Sequence, residues 1–327
     1  MTIKQVAEIA GVSPAAISRY INGGSLSAEK KEIIREAIEK TGYRPNMMAQ
    51  TMRTGRGGEI GIIVPKIYSD SVSQIVGGIT ERLREKNYLT MLGTTDGHRE
   101  RELRYLELMQ NSQVAGIILM GTVMTPLLED AISNSTKPVV VTGQNFKNVA
   151  CVYHDDFHAV YELMARMIRK GRRHTAYIGV TQEDEAAGKE RSRGALAAFR
   201  DAGGEESSFR QEIAAAFTPE AGREAMERIL HKYPDTDGVV CATDMIAHGA
   251  MMAIRAAGRR VPEDMGIAGV GDSWADAVAA TPLTTAHLYY RQCGITATDM
   301  LLRMINHEDS PQMKTMLEFT ITERGSL

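Results

Sequence analysis

Along the first forty residues the apolar positions recur every three or four: Ile3, Val6, Ala7, Ile9 and Ala10 form a stripe that stops at Gly11. Ser13 is placed to cap a second helix with Pro14 at its first position, where a missing N–H costs nothing. Ile17, Tyr20 and Ile21 give that helix its apolar face. After the Asn22-Gly23-Gly24 break, Ser27 opens a longer helix, SAEKKEIIREAIEKTG, whose Ile33, Ile34, Ala37 and Ile38 face inward and which stops at Gly42. Two short helices joined by a tight Gly-Val-Ser turn and closed by a third predict an all-α helix-turn-helix unit over residues 1–45, with the second helix as the reader. A plain three-helix bundle shares this pattern. Residues 46–58, including MMAQTMR, allow two helical turns at most, and isolated helices below about 12–15 residues are marginal. This segment is expected to fold only against something else.

From Glu59 the period changes to strand and helix in alternation. Apolar runs at 59–65, 88–94, 115–120, 137–143, 174–180, 237–242, 265–270, 284–288 and 316–322 are separated by amphipathic stretches such as SQIVGGITERLREKN and AGREAMERILHKY. Apolar strands joined by helices imply buried parallel sheets. The length of this region suits two doubly wound α/β lobes, in which ligands bind in the crevice at the carboxyl ends of the strands.

Composition narrows the picture. With 43% hydrophobic and 24% charged residues among 327, the chain is an ordinary globular protein with no apolar run of transmembrane length. The N-terminus MTIKQVAEIAGVS lacks a basic leader followed by an apolar stretch, so a cytoplasmic location is expected. Cys151, Cys241 and Cys293 are widely spaced and set among apolar or small neighbours, which suits reduced buried thiols rather than disulfides or a metal site. Residues 1–58 carry nine Lys/Arg against five acids, a net +4, which leaves −7 on the rest. A basic end on an acidic body is the layout of a chain with one end on a polyanion.

Ser13, Asn22 and the start of the second helix are placed to hold phosphate, whereas Arg19 can reach guanine O6 and N7 in a bidentate manner. Pro14, Ala15 and Ala16 offer only apolar contact, and the alanines allow close approach to the groove. Base choice then leans on Arg19, Ser18 and DNA deformability. No GxxxxGK[ST], GxGxxG after a strand, HExxH or GxSxG occurs, so neither an enzyme nor a cofactor is expected.

TIKQVAEIAGVSPAAISRYING and EKTGYRPNMMAQTMRTGRGGEIGIIVP, followed by AGIILMG, GRRHTAYIGV, DGVVCATDMIAHGA, GRRVPEDMGIAGVG and TPLTTAHL, resemble the LacI/GalR family of bacterial transcriptional repressors over the whole chain. CVYHDDFHAV, YIGV and VVCATD are most similar to family members controlling disaccharide operons, of the trehalose type. The resemblance implies a homodimer on a pseudo-palindromic operator, a hinge helix that forms only on DNA, and a periplasmic-binding-protein-like core over 59–327. It implies three crossovers, near 154, 283 and 315, and hence lobes of 59–154 with 284–314 and of 155–283 with 315–327. The chain stops at ITERGSL without a leucine-heptad tail, so a dimer rather than a tetramer is expected.

Residue by residue, the resemblance puts the main specificity positions at Pro14 and Ala15. It adds Asn46, Ala49, Gln50, Met52 and Arg53 of the hinge to the DNA contacts, with Met52 as the minor-groove wedge. In the cleft it implies Arg191 as the ligand-holding arginine and Phe217 as the stacking aromatic. Thr243 is the expected contact, beside a structural Asp244. Lys66 stands where trehalose repressors use an arginine for a sugar phosphate, so Lys66, Arg191 and Lys189 are an expected phosphate clamp, with Tyr68 and Asp272 in the same cleft and Trp274 either by the cleft or in the dimer interface. Gly269-Val270-Gly271-Asp272 departs from the family's Gly-aromatic-Asp-Asp, which removes a ligand-contacting carboxylate at Gly271. The expected function is a repressor of a carbohydrate operon that responds to a sugar or sugar phosphate. A cytoplasmic sugar-binding protein or a sugar-modifying enzyme on the same core is the alternative.

Overall fold

The computed structural model describes residues 2–21, 24–43, 58–308 and 313–327. It divides into two compact units, Met1–Gly58 and Glu59–Leu327. The expected hinge contacts Asn46, Ala49, Gln50, Met52 and Arg53, and the phosphate contact Asn22, lie outside the described residues.

The first unit contains α1 (Ile3–Ile9), α2 (Pro14–Ile21) and α3 (Ala28–Thr41). Thr2 and Gln5 form a reciprocal capping box on α1. Gly11 has φ +61°, a conformation that favours glycine, and so permits the tight turn into α2. Ser13 Oγ accepts the Ala16 N–H at 3.2 Å, and Ser27 caps α3. Val6, Ala7, Ile17, Ile34 and Ala37 close the small core.

The second unit has two six-stranded sheets. The first, ordered β11-β5-β4-β3-β1-β2, comprises β1 (Gly58–Val64), β2 (Tyr88–Thr94), β3 (Val114–Leu119), β4 (Val139–Thr142), β5 (Ala150–His154) and β11 (Lys314–Leu317). The second, ordered β12-β10-β9-β8-β6-β7, comprises β6 (Thr175–Gly179), β7 (Arg210–Ile213), β8 (Gly238–Cys241), β9 (Gly266–Val270), β10 (Thr284–Leu288) and β12 (Phe319–Thr322). Among the strand pairs whose register is described, all are parallel except that β12 runs antiparallel to β10. Helices α4 (Asp70–Glu85), α5 (Arg99–Gln110), α6 (Pro126–Ser133) and α12 (Tyr290–Ile305) belong with the first sheet. Helices α7 (Asp156–Arg169), α8 (Arg191–Asp201), α9 (Pro219–Lys232), α10 (Asp244–Ala256) and the short α11 (Trp274–Val278) belong with the second. Cys151, Cys241 and Cys293 are buried and free. Among the described residues no helix is long and apolar enough to cross a membrane.

Two of the expected crossovers move. Strand β10 pairs with β9, so residues 284–288 belong to the second lobe, and the crossover expected near 283 falls at Tyr289. The single strand expected over 316–322 is two strands in different sheets, broken at Glu318, which is the third crossover rather than 315. One apolar run served both sheets, and only pairing partners separate its halves. The apolar-run reading also passed over β5 and the short edge strand β7.

Candidate DNA-reading helix and effector cleft

On α2 the helical period decides which side chains are free. Pro14, Ala15 and Arg19 are exposed, and Ser13 is exposed just before them. Ala16 and Ser18 are 8% and 9% exposed and Ala16 joins the head core, which corrects the expectation that both face the groove. They share the side of α2 that carries Ile17, the residue buried against Val6 and Ile34. The Gly24 N–H closes the helix end by donating to the Arg19 carbonyl at 2.8 Å.

The carboxyl ends of both sheets meet across a cleft. Lys66 follows β1, and its Nζ lies 5.6 Å from the ring centroid of exposed Tyr68 and 5.4 Å from that of Phe217, which follows β7 in the other lobe. These are cation–π distances. Burial lowers the Lys66 pKa, and no carboxylate among the described residues pairs with it.

Arg191 opens α8 and is 6% exposed. Its Nε donates to Asp156 Oδ1 at 2.7 Å and its Nη1 donates to the Ala242 carbonyl. Burial pulls the Arg191 pKa down, but the Asp156 carboxylate outweighs it and holds the guanidinium charged. Lys189 lies on a π-helical turn, Glu185–Glu190, and pairs with Glu185 at 2.7 Å. Of the three expected clamp residues, Arg191 and Lys189 are thus engaged by carboxylates, and Lys66 has no carboxylate partner among the described residues.

Thr243 caps α10, its hydroxyl accepting the Ile246 N–H at 3.3 Å. Asp244 is buried and accepts from Thr285 Oγ1 at 2.6 Å. Burial first, and the neighbouring Asp276 second, raise its pKa well above the usual carboxylate range. Asp276, fully buried, meets His248 Nε2 at 2.7 Å through its Oδ1. The two carboxyls form a buried acid pair, in which the nearness of Asp276 adds to burial in favouring the neutral form of Asp244. The departure at Gly271 now has a physical reason. A Cβ there would stand 2.6 Å from Asp244 Oδ2, at a φ of +146° that side chains rarely adopt, and a Cβ on Gly269 would press on Asp244 Oδ1. The glycines leave room for the Asp244 carboxyl.

Asp272, expected in the cleft, is committed elsewhere: it accepts from Arg324 Nη2 at 2.6 Å and Thr322 Oγ1 at 3.2 Å and meets His287 Nδ1 at 3.0 Å. It braces the loop after β9 against β10 and the C-terminal strand. Trp274 is 77% exposed at the start of α11.

Sequence reasoning missed the residues that join the lobes. Gln144, after β4, donates through Nε2 to Asp184 Oδ1 at 3.0 Å and accepts the Ala186 N–H at 2.9 Å, with both side chains buried. Arg99 and Glu183 form an exposed ion pair across the same gap. A buried Gln in a turn carries no local signal of a partner forty residues away.

Residues 2–46 match the family model for bacterial regulatory proteins, lacI family, and residues 164–327 match a periplasmic binding protein-like domain. The sucrose operon repressor of Staphylococcus xylosus is 30% identical over 307 residues, covering 94% of each chain. The structure of the transcriptional regulator CelR in complex with cellobiose aligns with TM-score 0.76 at 27% identity, covering 100% of this chain and 99% of the other. The lac repressor dimer bound to operator and the anti-inducer ONPF aligns with TM-score 0.90 at 21% identity, covering 100% and 98%, a likeness of fold. With a helix-turn-helix head and two parallel-sheet lobes in the family's order, the chain belongs to the lacI family of bacterial regulatory proteins, DNA-binding regulators of transcription.

Proposed function

We propose that this regulator represses a carbohydrate-utilisation operon and is controlled by a sugar or sugar phosphate bound between the lobes. It acts in the cytoplasm, as a homodimer on a pseudo-palindromic operator, and by binding rather than by catalysis. The observation that carries the effector reading is Lys66, a half-buried ammonium without a carboxylate partner among the described residues, faced by Tyr68 of one lobe and Phe217 of the other. Aromatic faces suit sugar rings, and an uncommitted cation suits an anionic substituent. Arg191, with Thr243 beside it, offers hydrogen bonds to hydroxyl groups. The outward edge strand β2, with Leu89, Met91 and Leu92 exposed, suits contact with a second copy. At the DNA end, Ser13 and Arg19 make the contacts of α2, and the hinge segment around Met52 supplies a minor-groove wedge together with Asn46, Ala49, Gln50 and Arg53. An effector shifts the operator-bound state only through unequal affinity for the two states.

Mobility shift of operator-type DNA by the full chain, with and without sucrose, cellobiose and glucose 6-phosphate, tests this. Retarded DNA that is released or tightened by one of them is the expected result. Failure to bind DNA even at low salt, where nonspecific binding is strongest, overturns the repressor reading. Turnover of a sugar without DNA binding favours the enzyme alternative.

A further inference from the structure

The cleft floor holds a buried polar residue that none of the contacts above uses. His154 ends β5 at the first crossover and is 5% exposed. Its ring packs edge-on against Tyr290, which opens α12 after the second crossover, with centroids 5.3 Å apart at 76°. Burial pushes the His154 pKa down to about 4, against the opposite pull of a hydrogen bond to the Tyr289 carbonyl, so the ring is neutral at physiological pH. A carbonyl accepts only from an N–H, and a neutral imidazole has one. His154 Nε2 is buried without a hydrogen-bond partner among the described residues, so the proton sits on Nδ1, toward Tyr289, and Nε2 is a bare acceptor. An unmade buried hydrogen bond costs about 1–3 kcal/mol.

Arg191 is close enough for its charge to act on both His154 and Tyr290, and a guanidinium only donates. His154 stands at the carboxyl end of β5, and Arg191 reaches the Ala242 carbonyl just past the carboxyl end of β8, where doubly wound sheets bind ligands. We propose that His154 selects the effector: its Nε2 accepts a hydrogen bond from one sugar hydroxyl while Arg191 donates to the oxygen of its neighbour. A vicinal diol fits such a pair because each hydroxyl both donates and accepts. The proposal rests on the sugar-responsive reading above and adds the chemistry by which the site recognises the ring.

The test uses the full chain with sucrose, cellobiose and glucose 6-phosphate as probes, followed by melting temperature and calorimetric titration. The probe that raises the melting temperature of the unmodified protein is expected to bind His154→Phe about tenfold or more weakly, the worth of one neutral hydrogen bond. His154→Gln, which keeps a side-chain acceptor, is expected to recover part of that loss. Nitrogen-15 spectra of labelled histidine give a readout that needs no variant: the Nε2 resonance of His154 shifts when that probe is added. Equal affinity of His154→Phe and the unmodified protein, or an Nε2 resonance that does not move in the saturated complex, overturns the assignment of His154 alone. An unmodified protein that responds to none of the probes overturns the sugar-responsive reading, and this proposal with it.

Discussion

Gly271 and Asp244 act as one unit. The glycine's missing Cβ and its φ of +146° leave the space into which Asp244 Oδ2 projects. Gly271→Asp, which restores the carboxylate position that family resemblance leads one to expect, is predicted to destabilise the protein by about 1–3 kcal/mol in denaturant titration, through backbone strain and a clash with a buried carboxyl. Asp244 has its own pH signature. An acid whose pKa is raised on folding holds its proton more tightly when folded, so its contribution is present at low pH and is lost as the pH rises from 3.8 toward the raised value. Asp244→Asn, which cannot ionise, is expected to flatten this decline. Melting temperatures recorded from about pH 5 to about pH 8 check it, and a decline as steep as in the unmodified protein rules the acid pair out as its source.

At the scale of the element, α2 separates two adjacent alanines that look alike in sequence. Ala15 is exposed and Ala16 is buried in the head core. Ala15→Gln is therefore expected to change base preference in a binding-site selection while leaving stability unchanged within about 0.5 kcal/mol. Ala16→Gln is expected to cost about 1–3 kcal/mol in head stability through overpacking. The π-helical turn before α8 is likewise held by something outside its own sequence. Gln144→Leu removes both hydrogen bonds of the interlobe clasp and leaves the Ala186 N–H without its partner, while Asp184 Oδ1 keeps only the Ala187 N–H. A loss of about 1–3 kcal/mol in thermal unfolding, with a larger radius of gyration in X-ray scattering, is expected. An unchanged radius would show that the crossovers alone set the lobe separation.

For the molecule as a whole, charge asymmetry carries the partner argument. The +4 of residues 1–58 against −7 elsewhere makes DNA binding salt-dependent, and affinity is expected to fall steeply between about 50 and 200 mM salt. Arg19→Ala should weaken binding and relax preference at one base pair per half-site, at a cost of about 1–3 kcal/mol. A uniform loss across all operator variants would instead assign Arg19 to a phosphate.

The three head helices, the change of period at Glu59 and the parallel character of the strands were legible in the sequence because each is local. Caps, turns and apolar spacing are set by neighbours within a few residues. The family resemblance was equally legible, since its motifs are contiguous. The tertiary structure alone decided the rest. Residues 316–322 read as one apolar run, and only pairing with β5 and β10 divides them between sheets. Lys66, Arg191 and Lys189 read as members of one phosphate clamp, and only the positions of Asp156 and Glu185 show which of them carry a carboxylate partner. Gln144 and His154 carried no sequence signal. A side chain's hydrogen-bonding debt depends on what long-range folding brings beside it, and spacing along the chain does not encode that distance.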